Sequence, residues 1–229
     1  MLIQRTIRTA PSPQHAIAMA FQPSEDAVSL SSYIDRFGTS MPFGSNTEIY
    51  GEDEPADYLY KVVSGAVRTC RVLADGRRQI SSFYLPGEVF GLEFGEHHAC
   101  SAEAIGNSKI LVVKRSALVA LAGRDGAIAN QLWTMTAREL RAVQNHILLL
   151  IKTAKERVAA FLLEMAERVQ CAGQVELPMS RQDIADYLGL TIETVSRTLT
   201  ELARAAAIEL PTTRCVVLRN RAALAKLHG

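Results

Sequence analysis

The 229-residue sequence predicts an α+β fold: an antiparallel β-barrel, then one long helix, then a small helical unit that carries a hairpin near its end. Three observations predict it. Between Thr47 and Val113 the chain is rich in β-branched and aromatic residues, and Gly65, Gly76 and Gly87 punctuate it at even intervals. From Gly126 apolar residues recur at gaps of three and four, with no proline before Pro178. From Ser180 two short helical segments meet at Gly189, and two short β-like segments follow around Pro211.

Bulk properties narrow the function classes. The length suits one large domain or two small ones, and 48% hydrophobic with 21% charged residues is an ordinary globular composition. A net charge of +1 excludes a global basic field, so any nucleic-acid partner must be met by local charge. Residues 1–151 carry 14 Lys+Arg against 15 Asp+Glu, and residues 152–229 carry 11 against 9, a slight basic lean at the C-terminal end. Cys70, Cys100, Cys171 and Cys215 are scattered, with no C-x-x-C pair. That argues against a zinc ribbon or disulfide framework and for reduced thiols in the cytoplasm. No apolar run approaches the ~18 residues of a membrane span. A nucleophile elbow, an H-E-x-x-H motif, a P-loop and supported paired carboxylates are all missing, so an enzyme is not expected.

The elements follow in order. Residues 1–27 read as an irregular N-terminal extension. Arg5 and Arg8 stand there without a nearby acid, but Pro11, Pro13 and Pro23 break any amphipathic targeting helix. A short helix is expected over 29–37. A sensor-like barrel domain spans 28–124, with strands at 58–63, 66–73 and 79–85 and turns at Ser64-Gly65, Asp75-Gly76 and Pro86-Gly87. Asp125 caps a helix that fills 125–152. Its apolar stripe comprises Ile128, Leu132, Met135, Leu140, Val143, Ile147 and Leu150, close to a coiled-coil seam with one stutter, and the residues from Leu132 onward are the expected dimer contacts. Such a stripe suits a core helix lying across the barrel. It also suits pairing with a second copy, and the run from Ile147 to Ile151 favours the homodimer because it is too apolar to leave wet. A helix over 153–169 opens the last unit, 153–229.

The chemistry concentrates in that unit. Ser180 followed by Asp183 reads as a capping box, Gly189 as a left-handed helix end and Thr191 as a second cap. Two helices joined so tightly make a helix-turn-helix. In the second, Ile192, Val195, Leu199 and Leu202 form one stripe expected to be buried, while Glu193, Ser196 and Arg197 share another face. Arg197 can donate two parallel hydrogen bonds to guanine O6 and N7, Glu193 can accept from a cytosine amino group, and Ser196 is short enough to adapt to thymine or phosphate. A plainer reading makes Glu193 a helix-dipole acid and Arg197 its i, i+4 ion-pair partner. The capped pair of helices and the clustered polar face favour double-stranded DNA. Ser180, Thr191, Thr194 and, at the tip of the hairpin wing, Thr212, Thr213 and Arg214 are the expected backbone contacts, which position without specifying. Asn220 is expected to cap a last short helix.

The order barrel, long helix, winged helix-turn-helix resembles the CRP/FNR superfamily of bacterial transcription regulators from about Thr47 to the end. The string Glu193-Thr-Val-Ser-Arg197 is similar to the recognition signature of its FNR and FixK branches, and Leu85-Pro-Gly-Glu-Val-Phe-Gly91 to its sensor domain, a cyclic-nucleotide-binding-like barrel. The resemblance implies a homodimer on TTGA-type palindromes and activation through contact with RNA polymerase. Cyclic-AMP binders of the family carry an Arg-Ser pair after the Gly-Glu motif. Here Glu96-His-His-Ala-Cys-Ser101 holds no arginine, so the charged donor for a cyclic phosphate is missing. The FNR iron–sulfur cluster needs cysteines ahead of the barrel, and none precedes Cys70. What remains resembles the FixK-type branch, which controls genes of low-oxygen respiration, denitrification and nitrogen fixation. A second reading keeps the barrel as the sensor of an unidentified effector. His97, His98 and Cys100 are expected in a solvated loop and not in a metal or haem site, because adjacent residues on a strand face opposite ways. No cofactor is expected.

Overall fold

Ser29 caps the first helix, its hydroxyl accepting from Ser32 N, and α1 (Leu30–Phe37) buries Leu30 and Ile34 against the barrel. The computed structural model describes residues 29–93, 95–169 and 173–228. The extension expected over 1–27, with its arginines and prolines, and Cys171 lie outside the described residues.

The barrel flattens into two four-stranded antiparallel sheets. One runs β1 (Thr39–Phe43), β8 (Ser108–Lys114), β3 (Tyr58–Ser64), β6 (Val89–Phe90); the other runs β2 (Glu48–Tyr50), β7 (Ser101–Ala104), β4 (Val67–Val72), β5 (Arg78–Tyr84). The β region begins earlier than Thr47. β1 carries Pro42, which is tolerated because β1 pairs only with β8 and so lies at a sheet edge. Gly65 turns β3 into β4 at φ 82°, and a Cβ there would stand 2.2 Å from Ser108 Oγ, so only glycine fits.

Between the sheets lies an aromatic cluster. Tyr50 stacks on His98 with ring centroids 3.6 Å apart, Tyr60 and Tyr84 both lie against Phe90, and Val62, Val67, Ala102 and Ile110 complete the core. This corrects the expected solvated loop at 97–100. His97 is exposed, but His98 is 1% exposed, because its ring is the flat partner that the Tyr50 face requires. The two histidines do face opposite ways. Among the described residues no group of three or more side chains is placed to hold a metal ion.

Burial pushes the His98 pKa below its ordinary value, and that of His146 likewise. The unfolded chain binds these protons below about pH 6.5 while the folded chain resists them, so stability falls as pH drops through that value. Melting temperature should therefore decrease between about pH 7.5 and about pH 5.5. His98→Phe, which keeps the stack, should flatten the slope; an unchanged slope would mean that His98 does not contribute.

Asp125 caps the long helix as expected, accepting from Ala127 N after a short helix α2 (Arg115–Ala122). The helix α3 (Gly126–Leu150) has two apolar sides. Ile128, Leu132 and Met135 pack on the barrel with Leu59, Val113 and Leu118. Trp133, Leu140, Val143, Ile147 and Ile151 are exposed. Leu132 and Met135 thus serve the contact across the barrel, Leu150 is half-buried beside the Gly189 turn, and the outward stripe is carried by Leu140, Val143 and Ile147 with Trp133 and Ile151.

Thr153 and Glu156 then form a capping box that opens α4 (Ala154–Arg168). α4 is the spine of the C-terminal unit, burying Val158, Phe161, Leu162 and Met165. Its core continues into the barrel without a gap: Phe83 of β5 meets both Phe161 and Tyr187, with centroids 6.3 and 5.2 Å away. Arg168 at the end of α4 pairs with Glu88 of the barrel at 2.6 Å and donates to the Phe83 carbonyl.

Candidate nucleic-acid interface

The first helix of the pair, α5 (Arg181–Leu188), starts where Ser180 accepts from Asp183 N and Asp183 accepts from Ser180 N, a reciprocal box. It ends at Gly189 in the left-handed region, φ 62° and ψ 41°, whose N–H bonds back to Ala185 O. Thr191 caps α6 (Ile192–Arg204) by accepting from Thr194 N at 3.2 Å. These three local features are those expected from the residues. They set the two helices at a fixed turn before any distant contact is made.

The turn is also gripped from outside. Arg157 of α4 donates to the carbonyls of Leu188 and Gly189 at 2.8 and 3.3 Å, and to that of Lys152 just past α3 at 2.8 Å. One guanidinium thus ties the end of the long helix to the turn of the pair. Nothing in the linear spacing links residue 157 to residue 188, so sequence reasoning missed it.

On α6 the buried stripe is Val195, Thr198, Leu199 and Leu202. Ile192, expected in that stripe, is exposed, because it occupies the first helical position at the rim of the packed face. Thr198 takes a place in the stripe instead. Glu193 and Arg197 are exposed and Ser196 is half-exposed, so the three present one outward face. Among the described residues no ion pair joins Glu193 to Arg197, so the ion-pair part of the plainer reading is not formed, while Glu193 does stand as the acid in the first turn of α6. Glu193's own backbone N–H and the Thr191 hydroxyl hold its carboxyl below the usual glutamate range, so it stays an ionised acceptor.

The expected backbone contacts divide by geometry. Thr191 and Thr194 stand at the start of α6, their hydroxyls 3.1 Å apart. Ser180 is half-buried and its hydroxyl is committed to Asp183 Oδ2 at 2.8 Å. The wing is β10 (Ile208–Glu209) against β11 (Cys215–Leu218), with β9 (Gln174–Glu176) on the far side of β11. At its tip Thr212 Oγ1 accepts from Arg214 N and Cys215 N, a turn that leaves Thr213 and Arg214 exposed. Asn220 Oδ1 accepts from Ala223 N and caps α7 (Arg221–His228). No helix among the described residues is long and apolar enough to cross a membrane.

A capped helix pair, a free polar face on the second helix and a three-stranded wing define a winged helix-turn-helix protein built to contact DNA. The comparisons extend this to most of the chain. The Crp-like helix-turn-helix domain matches residues 156–227 and the cyclic nucleotide-binding domain matches residues 41–125. The chain is 51% identical over 198 residues to the nitrogen fixation regulation protein FixK of Azorhizobium caulinodans, covering 84% of this chain and 80% of that one. It is 42% identical over 181 residues to the FixK of Rhizobium meliloti, covering 79% and 82%. The solved structure of FixK2 from Bradyrhizobium japonicum superposes with a TM-score of 0.82 at 54% identity, covering 84% of this chain and 98% of that one. The chain belongs to the CRP/FNR superfamily of transcription regulators, in its FixK branch.

Proposed function

We propose that this regulator acts in the cytoplasm as a homodimer on TTGA-type palindromes, recruits RNA polymerase, and switches on genes of nitrogen fixation, denitrification or low-oxygen respiration without needing a small-molecule effector. The observation that carries the reading is the unpaired face of Glu193, Ser196 and Arg197 on a helix capped at its start and gripped at the preceding turn. The guanine of a TTGA half-site takes the two donors of Arg197, its paired cytosine gives its amino hydrogen to Glu193, and Ser196 lies against thymine. The exposed stripe of α3 supports the dimer, because Trp133, Leu140, Val143 and Ile147 on the helix, with Ile151 at its end, are a cost to a lone protomer. Two recognition helices related by a two-fold axis then meet half-sites one helical turn apart. The biological setting rests on the FixK relatives, whose names state nitrogen fixation regulation.

Effector independence is supported by the aromatic cluster of Tyr50, Tyr60, Tyr84, Phe90 and His98 between the sheets, and by the lack of an arginine in the stretch Glu96–Ser101 that follows Gly87-Glu88. Fluorescence anisotropy with a labelled TTGA palindrome and a scrambled control, at stated salt, tests the reading. Selective binding by the purified protein alone is the expected result. Selectivity only after adding an effector would make the barrel a working sensor, and equal binding to both duplexes would remove the base-contact assignment.

A further inference from the structure

Arg78 stands beside Arg77 at the start of β5, yet the two behave differently. Among the described residues Arg77 pairs with Asp75 of its own turn. Arg78 reaches across to the first helix of the reading head, placing Nη2 2.6 Å from Asp183 Oδ1 and 2.8 Å from Asp186 Oδ2. Arg68, next door on β4, donates to the same Asp183 oxygen at 3.0 Å and is itself braced by its cross-strand partner Glu103 at 2.6 Å. Asp183 is 3% exposed and Arg68 6%. A capping box needs no burial, and a buried carboxylate is costly unless it is paired and fully hydrogen-bonded. Asp183 is both: Oδ2 takes the N–H and O–H of Ser180, and Oδ1 takes the two arginines.

Elsewhere the contact between barrel and head includes the Phe83–Phe161–Tyr187 cluster, which is apolar and therefore non-directional, and the Arg168–Glu88 pair, which fastens α4 but does not touch α5 or α6. Forked guanidinium–carboxylate pairs are directional, and they set an angle as well as a distance. The barrel also carries α3 through Ile128, Leu132 and Met135. Barrel and long helix together make the frame, and the ion pairs fasten α5, and with it α6, to that frame.

We propose that Arg78 is a positioning residue which, through Asp183 and Asp186, holds the recognition helix at one angle on the barrel, so that the protein selects half-site spacing with no ligand bound. The inference rests on the dimeric, palindrome-binding function proposed above. The restraint is supplied by protein charges alone.

The test compares wild type, Arg78→Gln, Asp186→Asn and the double variant by anisotropy. The duplexes are palindromes whose half-site spacing is the optimum or differs by one or two base pairs, plus a duplex with a single half-site. Arg78→Gln leaves Arg68 on Asp183, so the fold survives, which melting and sedimentation verify. Wild type should prefer one spacing. Arg78→Gln should bind that spacing about tenfold more weakly, within the range that members of one contact network show, and should discriminate less among spacings. Its single-half-site affinity should be unchanged. The double variant should be no worse than Arg78→Gln, because removing Arg78 already removes the Asp186 contact. A uniform loss on every duplex, the single half-site included, would make the contact merely structural and overturn the proposal; so would tighter binding by Arg78→Gln or an undiminished spacing preference. A wild type with no spacing preference would instead overturn the dimeric reading on which the latch rests.

Discussion

Arg197→Ala is expected to erase the preference for the G·C pair of the TTGA half-site. Each lost bidentate guanine contact removes about 1–3 kcal/mol of discrimination, so a dimer loses roughly 2–6 kcal/mol. The variant should bind the operator no better than a duplex in which that G·C pair is replaced by A·T, on which wild type and variant should converge. The structure makes this a clean experiment. Arg197 is exposed and has no ion-pair partner among the described residues, so its removal leaves no buried charge behind. The salt dependence of binding should change by at most about one phosphate contact per protomer, because base contacts and backbone contacts separate in this measurement. Unchanged discrimination by Arg197→Ala would refute the assignment of the base-reading face.

The features that were legible in advance are those whose cause is local. Ser180, Gly189 and Thr191 act within four residues of themselves, so the helix pair could be read with its caps. Asp125 and the glycine turns of the barrel belong to the same group. Glu193, Ser196 and Arg197 share a face by helical geometry alone. Where the physics is non-local, the reading was incomplete. Asp183 was seen as a cap but not as the anchor of two arginines more than a hundred residues earlier in the chain. His98 is expected in a solvated loop because alternation along a strand says only that it and His97 face opposite ways, whereas Tyr50, 48 residues away, supplies the surface that buries it. The edge strand β1 escaped notice because its proline is permitted only by a position in the sheet that one strand does not reveal. Arg157 has the same character, since it joins Lys152 to the Leu188–Gly189 turn more than thirty residues away.

The apolar stripe of the long helix gives the second large effect, and here the structure sharpens the sequence reading. Leu132 and Met135 face the barrel, so a charge at either would strike the core of a single protomer. Val143 and Ile147 are 50% and 58% exposed, so a protomer alone tolerates acids at both. The double variant Val143→Asp/Ile147→Asp should therefore fold, melt close to wild type and still contain the helix. In a dimer seam it would bury four unpaired carboxylates, each at a cost of several kcal/mol. Sedimentation should show the monomer at concentrations where wild type is dimeric. Operator affinity should fall steeply, because a monomer engages one half-site and each ~1.4 kcal/mol lost is a factor of ten. Single-half-site binding should persist, since no residue of the reading face is touched. A variant that still sediments as a dimer would show that the seam lies elsewhere, and the exposure of Trp133, Leu140 and Ile151 would then need another partner.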